Sequence, residues 1–149
     1  MLPDYRLTFD ICIRHHQIAR TVDMVRACPE TMFILDHVGK PDVRGQQLDP
    51  WRERIAELAE LPNVMCKISG LVTEADHQHW MPADLALFVA HAMAVFGEDR
   101  VLFGSDWPVV TQAATYRDWV RALDEVTRGL TPTAMRKLWS DNARRIYRL

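Results

Sequence analysis

Thr31-Met32-Phe33-Ile34-Leu35-Asp36-His37 is an apolar run that ends in two ionisable side chains and then Val38-Gly39-Lys40-Pro41. Its aromatic and aliphatic middle is too short for a helix. It reads as a buried strand with a Gly- and Pro-bearing loop at its carboxyl end. Three other segments have the same form: residues 7–13 (LTFDICI), 63–69 (NVMCKIS) and 100–105 (RVLFGS).

Working outward, the stretches between these runs carry the helical period. Ile18, Val22, Val25 and Cys28 form one apolar stripe. Trp51, Ile55, Leu58 and Ala59 form a second, opened by Asp49 as N-cap and Pro50 in the first turn, where a missing N–H does no harm. Leu85, Phe88, Val89, Ala92 and Phe96 follow Pro82, and Tyr116, Trp119, Leu123 and Val126 make a helix starting near Thr111. Two short helices close the sequence, at 131–138 and 141–147, each expected to begin on a capping residue, Thr131 and Asp141. Regular strand–helix alternation implies parallel strands joined by right-handed crossovers. A closed eight-stranded α/β barrel takes about 250 residues. Four βα units in 149 residues leave a small open sheet or half of a barrel, read as one partial domain over 1–149.

The composition is 48% hydrophobic and 26% charged, with net charge −2, ordinary for a globular protein and without the strongly basic face that nucleic acid would favour. No run of 18 apolar residues suggests a membrane span, and Met1-Leu2-Pro3-Asp4 does not open a signal peptide. Three widely spaced cysteines (Cys12, Cys28, Cys66) cannot form a full disulfide framework, so a cytoplasmic, reducing location is expected.

In parallel α/β folds the chemistry collects at the carboxyl ends of the strands. Those ends read Arg14-His15-His16, Asp36-His37, Lys67-Ile68-Ser69-Gly70 and Ser105-Asp106-Trp107-Pro108. A His, a Lys and an Asp on neighbouring ends suit metal binding, carbonyl polarisation and proton transfer. Each has a plainer reading. Asp106 could cap the loop that Trp107-Pro108 stiffens. His37 could be a satisfied core histidine. Asp36 falls on the opposite face by strand alternation and is expected to pair on the helix side. Lys67 either enters the mouth of the site or forms a structural pair. Ser69 is a weaker substrate-contact candidate, without a nucleophile-elbow pattern around it. Arg14 and Trp107 stand as further substrate contacts. Asp10 needs a partner if buried. Cys12 and Cys66 read as small core residues. His77-Gln78-His79 imitates a strand His-x-His pair, but its polar context reads as a lid loop, with Trp80 reaching for substrate.

The segments LDHVGKPD (35–42), NVMCKISGLVTEA (63–75) with a Trp after it, FGSDWPV (103–109) and DNARRIYRL (141–149) together resemble the amidohydrolase-related family, also called amidohydrolase 2. The branch is similar to the L-rhamnono- and L-fucono-lactonases and the 2-pyrone-4,6-dicarboxylate lactonase. The resemblance covers nearly the whole sequence in order. It implies a (β/α)8 barrel of TIM type, with these four strands as the carboxyl-terminal half. It also implies hydrolysis of a small-molecule sugar lactone, with Asp106 as general base and His37 and Asp106 as ligands of a divalent metal, zinc first. Metal-independent members leave a positioned water as the alternative. The family's upstream His-x-His strand is not in this sequence. A non-catalytic half barrel therefore stands as the second reading, as a homo-oligomer or paired with an amino-terminal half. An open flavodoxin-like sheet would need a Gly-rich phosphate loop after the first strand, where Arg14-His15-His16-Gln17 stands instead.

Overall fold

The computed structural model describes residues 1–149. Four parallel strands, β1 (Thr8–Ile11), β2 (Met32–Leu35), β3 (Val64–Ile68) and β4 (Val101–Phe103), lie in sequence order in one sheet. Thr8 pairs with Met32, Phe33 with Val64 and Cys66 with Val101. The crossovers are α1 (Ile18–Ala27), α2 (Trp51–Ala59) and α3 (Pro82–Phe96), and α4 (Tyr116–Val126) follows β4. Alternation of side chains divides the sheet into two faces. Ile11, Phe33, Leu35, Val64, Cys66, Ile68 and Val101 pack against the helices, where Trp51, Phe88 and Trp119 fill the core. The inner face carries Ile34, Met65 and Leu102.

The tail corrects two expectations. α5 (Pro132–Arg136) runs through a wide turn, Lys137–Asp141, directly into α6 (Asn142–Tyr147). Asp141 has helical dihedrals and caps nothing, whereas Thr131 does accept from Ala134 N. α6 then crosses to the inner face, laying Ala143, Ile146 and Tyr147 on Ile34, Met65 and Leu102. Asn142 Nδ2 ties it to the start of β4 through Glu98 O (2.8 Å) and Val101 O (2.7 Å).

Helix starts also differ from expectation. Asp49 does not cap α2; its carboxylate is taken by Arg52, at 2.8 and 3.1 Å. α4 begins at Tyr116, not near Thr111, because the Thr115 hydroxyl accepts from Asp118 N and so starts the helix there. The segment Val109–Gln112 is a separate 3-10 turn. Arg100 spreads over Ala59 O, Leu61 O and Phe96 O, supplying donors where α2 and α3 run out of them. No helix is long and apolar enough to cross a membrane.

Three indoles pin the loops above the sheet. Trp51 Nε1 donates to Val38 O (2.8 Å), Trp119 Nε1 to Gly104 O (2.9 Å) and Trp80 Nε1 to Ala113 O (2.9 Å). Each helix-side aromatic thus satisfies a carbonyl of a turn that the sheet ladder has released.

Candidate active site at the strand ends

β2 ends at Leu35 because the backbone turns left-handed, with φ 55° at His37 and 54° at Val38. A β-branched valine in that region is a true outlier, and such strain gathers at functional sites. The expectation that His37 takes the inner face and Asp36 the helix side is wrong: Asp36, two residues after Ile34, is the side chain that alternation points inward, where it meets Lys67. The left-handed turn then brings His37 over to Ser69 and Asp106.

His37 Nε2 is 3.6 Å from Asp106 Oδ1, and His37 Nδ1 is 2.9 Å from Ser69 Oγ. The ends of β2, β3 and β4 therefore converge on one imidazole. Both His37 and Asp106 are largely buried. Burial holds the His37 imidazole below its ordinary pKa, against the opposing pull of Asp106 and Asp36. Asp106 also sits in a left-handed conformation, φ 56°. Its Oδ2 meets Thr73 Oγ1 at 3.2 Å, while the same hydroxyl lies 2.8 Å from Gly70 O. A hydroxyl has one proton, so Thr73 cannot donate to both acceptors at once.

Two glycines make the approach possible. A Cβ on Gly70, whose φ is 63°, would lie 2.6 Å from His37 Nδ1. A Cβ on Gly104 would lie 2.8 Å from Lys67 Cδ and 2.9 Å from Ser69 Cβ.

Lys67 is on the inner face, but it is not a free cation. Its Nζ lies 2.7 Å from Asp10 Oδ2 and 2.7 Å from Asp36 Oδ1, and Tyr147 donates to the same Asp10 oxygen at 2.7 Å. The Asp36 contact falls outside hydrogen-bonding angles, so it is an ion pair and leaves Oδ1 buried without an oriented donor. Burial opposes the Lys67 charge, yet Asp10 and Asp36 outweigh it and hold the ammonium above its usual pKa. Burial pushes the Tyr147 phenol up to about 12.

Other expected site residues are placed differently. Ser69 is fully buried and faces His37 rather than solvent. Arg14 is exposed and reaches Glu74 at 3.4 Å. Trp107 is 69% exposed at the rim. His77 donates to Thr73 O and His79 reaches Asp76, both in an exposed loop that lines a 470 Å³ concavity with Arg44 and Ala75. Trp80 is committed to Ala113 O and does not reach outward for substrate. The largest concavity, 540 Å³, lies beside α1 and is lined by neither His37 nor Asp106. Sequence reasoning missed Thr73, for which no signal exists. It also placed Cys12 in the core, whereas the side chain is exposed near Asp36 and His37. Its shared parity with Asp10 was the available clue.

The residues suit a divalent cation. Two N or O ligands of one tetrahedral zinc stand about 3.3 Å apart, close to the 3.6 Å between His37 Nε2 and Asp106 Oδ1. The Ser69 contact to the other ring nitrogen is the usual support of a ligating histidine.

The family described as Amidohydrolase matches residues 1–149. An L-fucono-1,5-lactonase of Burkholderia multivorans is 39% identical over 78% of the chain, which spans 43% of that protein. An L-fucono-1,5-lactonase of Burkholderia ambifaria is 32% identical over 96% of the chain and 50% of its own length. A crystal structure of an amidohydrolase from Burkholderia multivorans with bound zinc superposes with TM-score 0.91 at 32% identity, over 99% of this chain and 55% of that one. The chain spans about half the length of the curated relatives it matches. Its four parallel βα units superpose on about half of the barrel of these neighbours.

Proposed function

The chain belongs to the amidohydrolase family, and from that premise we propose that it supplies the carboxyl-terminal half of a hydrolase that opens a sugar lactone. The observation that carries this reading is the 3.6 Å approach of His37 Nε2 to Asp106 Oδ1 across three strand ends. The names of the lactonase relatives support the substrate class.

In this reading Asp106 accepts a proton from the water that attacks the lactone carbonyl and returns it to the ring oxygen as the ester bond breaks. Thr73 Oγ1 steadies the carboxylate through Oδ2 when its proton turns from Gly70 O to Asp106. His37, kept neutral near pH 7 by its burial, presents an unprotonated ring nitrogen. With Nδ1–H donating to Ser69 Oγ, that nitrogen is Nε2. A divalent cation held by His37 and Asp106 would supply Lewis acidity toward the carbonyl. The zinc-bound relative supports that cofactor, and water positioned by the protein alone is the metal-free form of the same chemistry. Lys67 acts through Asp10 and Asp36, and the exposure of Arg14 and Trp107 supports their role as substrate contacts.

The test is hydrolysis of a panel of sugar 1,4- and 1,5-lactones by the full chain, with Asp106→Asn as control. The expected loss is about 10²–10⁴-fold in kcat. Unchanged turnover in the variant removes the general-base role, and a chain inert to every lactone removes the reading for this chain alone.

One observation favours a second reading, in which the arc works only when closed by another half. β1 pairs on one side only, and Phe9 within it and Leu7 just before it are 45% and 54% exposed. Such an edge invites a further strand. Light scattering distinguishes the cases: a stable monomer at all concentrations excludes self-closure.

A further inference from the structure

We propose that Cys12 and Asp36 join His37 in a mixed sulfur–oxygen–nitrogen site for a zinc-like divalent cation, a reading that rests on His37 being a metal ligand. One ligand atom from each residue lies within 4.8 Å of the others. Sulfur and nitrogen on one tetrahedral zinc stand about 3.5 Å apart, so closing the set takes movements of about 1 Å. Cys12 is free and exposed, at the end of β1, and can move that far.

Three further features agree with this occupant. Lys67 pairs with Asp36 Oδ1 at 2.7 Å, and no hydrogen bond or ion pair engages Oδ2, so Oδ2 is the carboxylate oxygen left to ligate. Ser69 occupies His37 Nδ1, so the ligand atom is Nε2, which also faces Asp106 Oδ1 at 3.6 Å. The donors themselves select the ion: thiolate and imidazole favour zinc and its neighbours over magnesium or calcium, which take oxygen. On binding, the Cys12 thiol proton leaves to solvent as the sulfur–metal bond forms, with no change of oxidation state. The site brings together β1 and β2, whereas the His37–Asp106 pair brings together β2 and β4. Cys12 thus extends the metal site to the edge strand of the arc.

Cobalt(II), added to the reduced full chain without substrate, is the probe. The expected result is a thiolate-to-cobalt charge-transfer band in the near ultraviolet that saturates at one equivalent. Cys12→Ser abolishes the band, Cys28→Ser leaves it, and Asp36→Asn weakens cobalt binding about tenfold or more, with circular dichroism confirming that each variant is folded. No band in the parent chain, a band that survives Cys12→Ser, or an unchanged affinity in Asp36→Asn overturns the assignment. The titration involves no turnover. A chain that shows the band but hydrolyses no lactone keeps this site and loses the hydrolase reading, and a lactonase without the band does the reverse.

Discussion

Ser69 Oγ stands 2.9 Å from His37 Nδ1, so β3 decides which way the imidazole supplied by β2 faces. The serine is fully buried, and nothing from solvent can replace its hydroxyl without rearrangement. Ser69→Ala leaves a buried ring nitrogen without its partner, which costs about 1–3 kcal/mol. Urea unfolding measures that loss. The same variant lets the ring turn, so it should also weaken cobalt binding about 10–100-fold. A variant with parental stability and parental affinity would show that the contact orients nothing.

Gly70 tests the same ring from the other side. Its φ of 63° disfavours any side chain by about 1–2 kcal/mol. A methyl group there would also press on His37 Nδ1 at 2.6 Å. Gly70→Ala is expected to lower stability by more than the backbone cost alone and to shift the His37 ring resonances. Gly97→Ala is the control: its φ is 71° but a Cβ there meets nothing within 4 Å, so only the backbone cost should appear. Equal losses at the two positions would mean that the imidazole yields freely.

The strands and the helical crossovers were legible in the sequence, because apolar runs and helical stripes are local patterns; His37 and Asp106 were singled out by the family resemblance, since pattern alone left each of them a structural role. The joint arrival of Asp36 and His37 at the site was not legible. Asp36 keeps the alternation of Ile34 and faces inward, whereas the left-handed backbone at His37 and Val38 breaks it and carries His37 to Ser69 and Asp106 as well. The path of α6 across the inner face was equally hidden. Asp141 reads as a cap by type, but the wide turn at Lys137–Asp141 carries the helix past it. Lys67 shows a third limit: the sequence left it open between the mouth of the site and a structural pair, because its partner Asp10 lies 57 residues away along the chain and Tyr147, which donates to the same carboxylate, 137 residues from Asp10.

Lys67 neutralises two carboxylates at once, and removing it exposes how much they depend on it. Lys67→Met leaves Asp10 and Asp36 facing each other across the inner face without a cation. Breaking a buried pair in this way costs about 3–5 kcal/mol, and the partial exposure of Asp10 places this case at the lower end. Adding Asp10→Asn and Asp36→Asn to Lys67→Met should recover part of the loss, since no unpaired charge then remains. Urea curves for the single and triple variants decide the matter. A triple variant less stable than Lys67→Met would show that the amides pack worse than the carboxylates repel.

Tyr147 closes this network, donating to Asp10 Oδ2 at 2.7 Å from the end of α6. Burial is the main reason its phenol is pushed from 10.0 up to about 12; Asp10 adds to the shift and Lys67 opposes it. The folded chain therefore holds the phenol proton more tightly than the unfolded chain does. The resulting stabilisation is complete below the ordinary value of 10.0 and is lost as the pH rises through about 12. Tyrosinate absorbance measures it directly. The titration of the parent chain minus that of Tyr147→Phe should show one step centred near 12. A difference step at the ordinary value would mean that the phenol is free in water and that α6 does not hold the inner face in solution. Tyr147→Phe should also flatten the loss of thermal stability over that alkaline range, because the variant has no proton there to release.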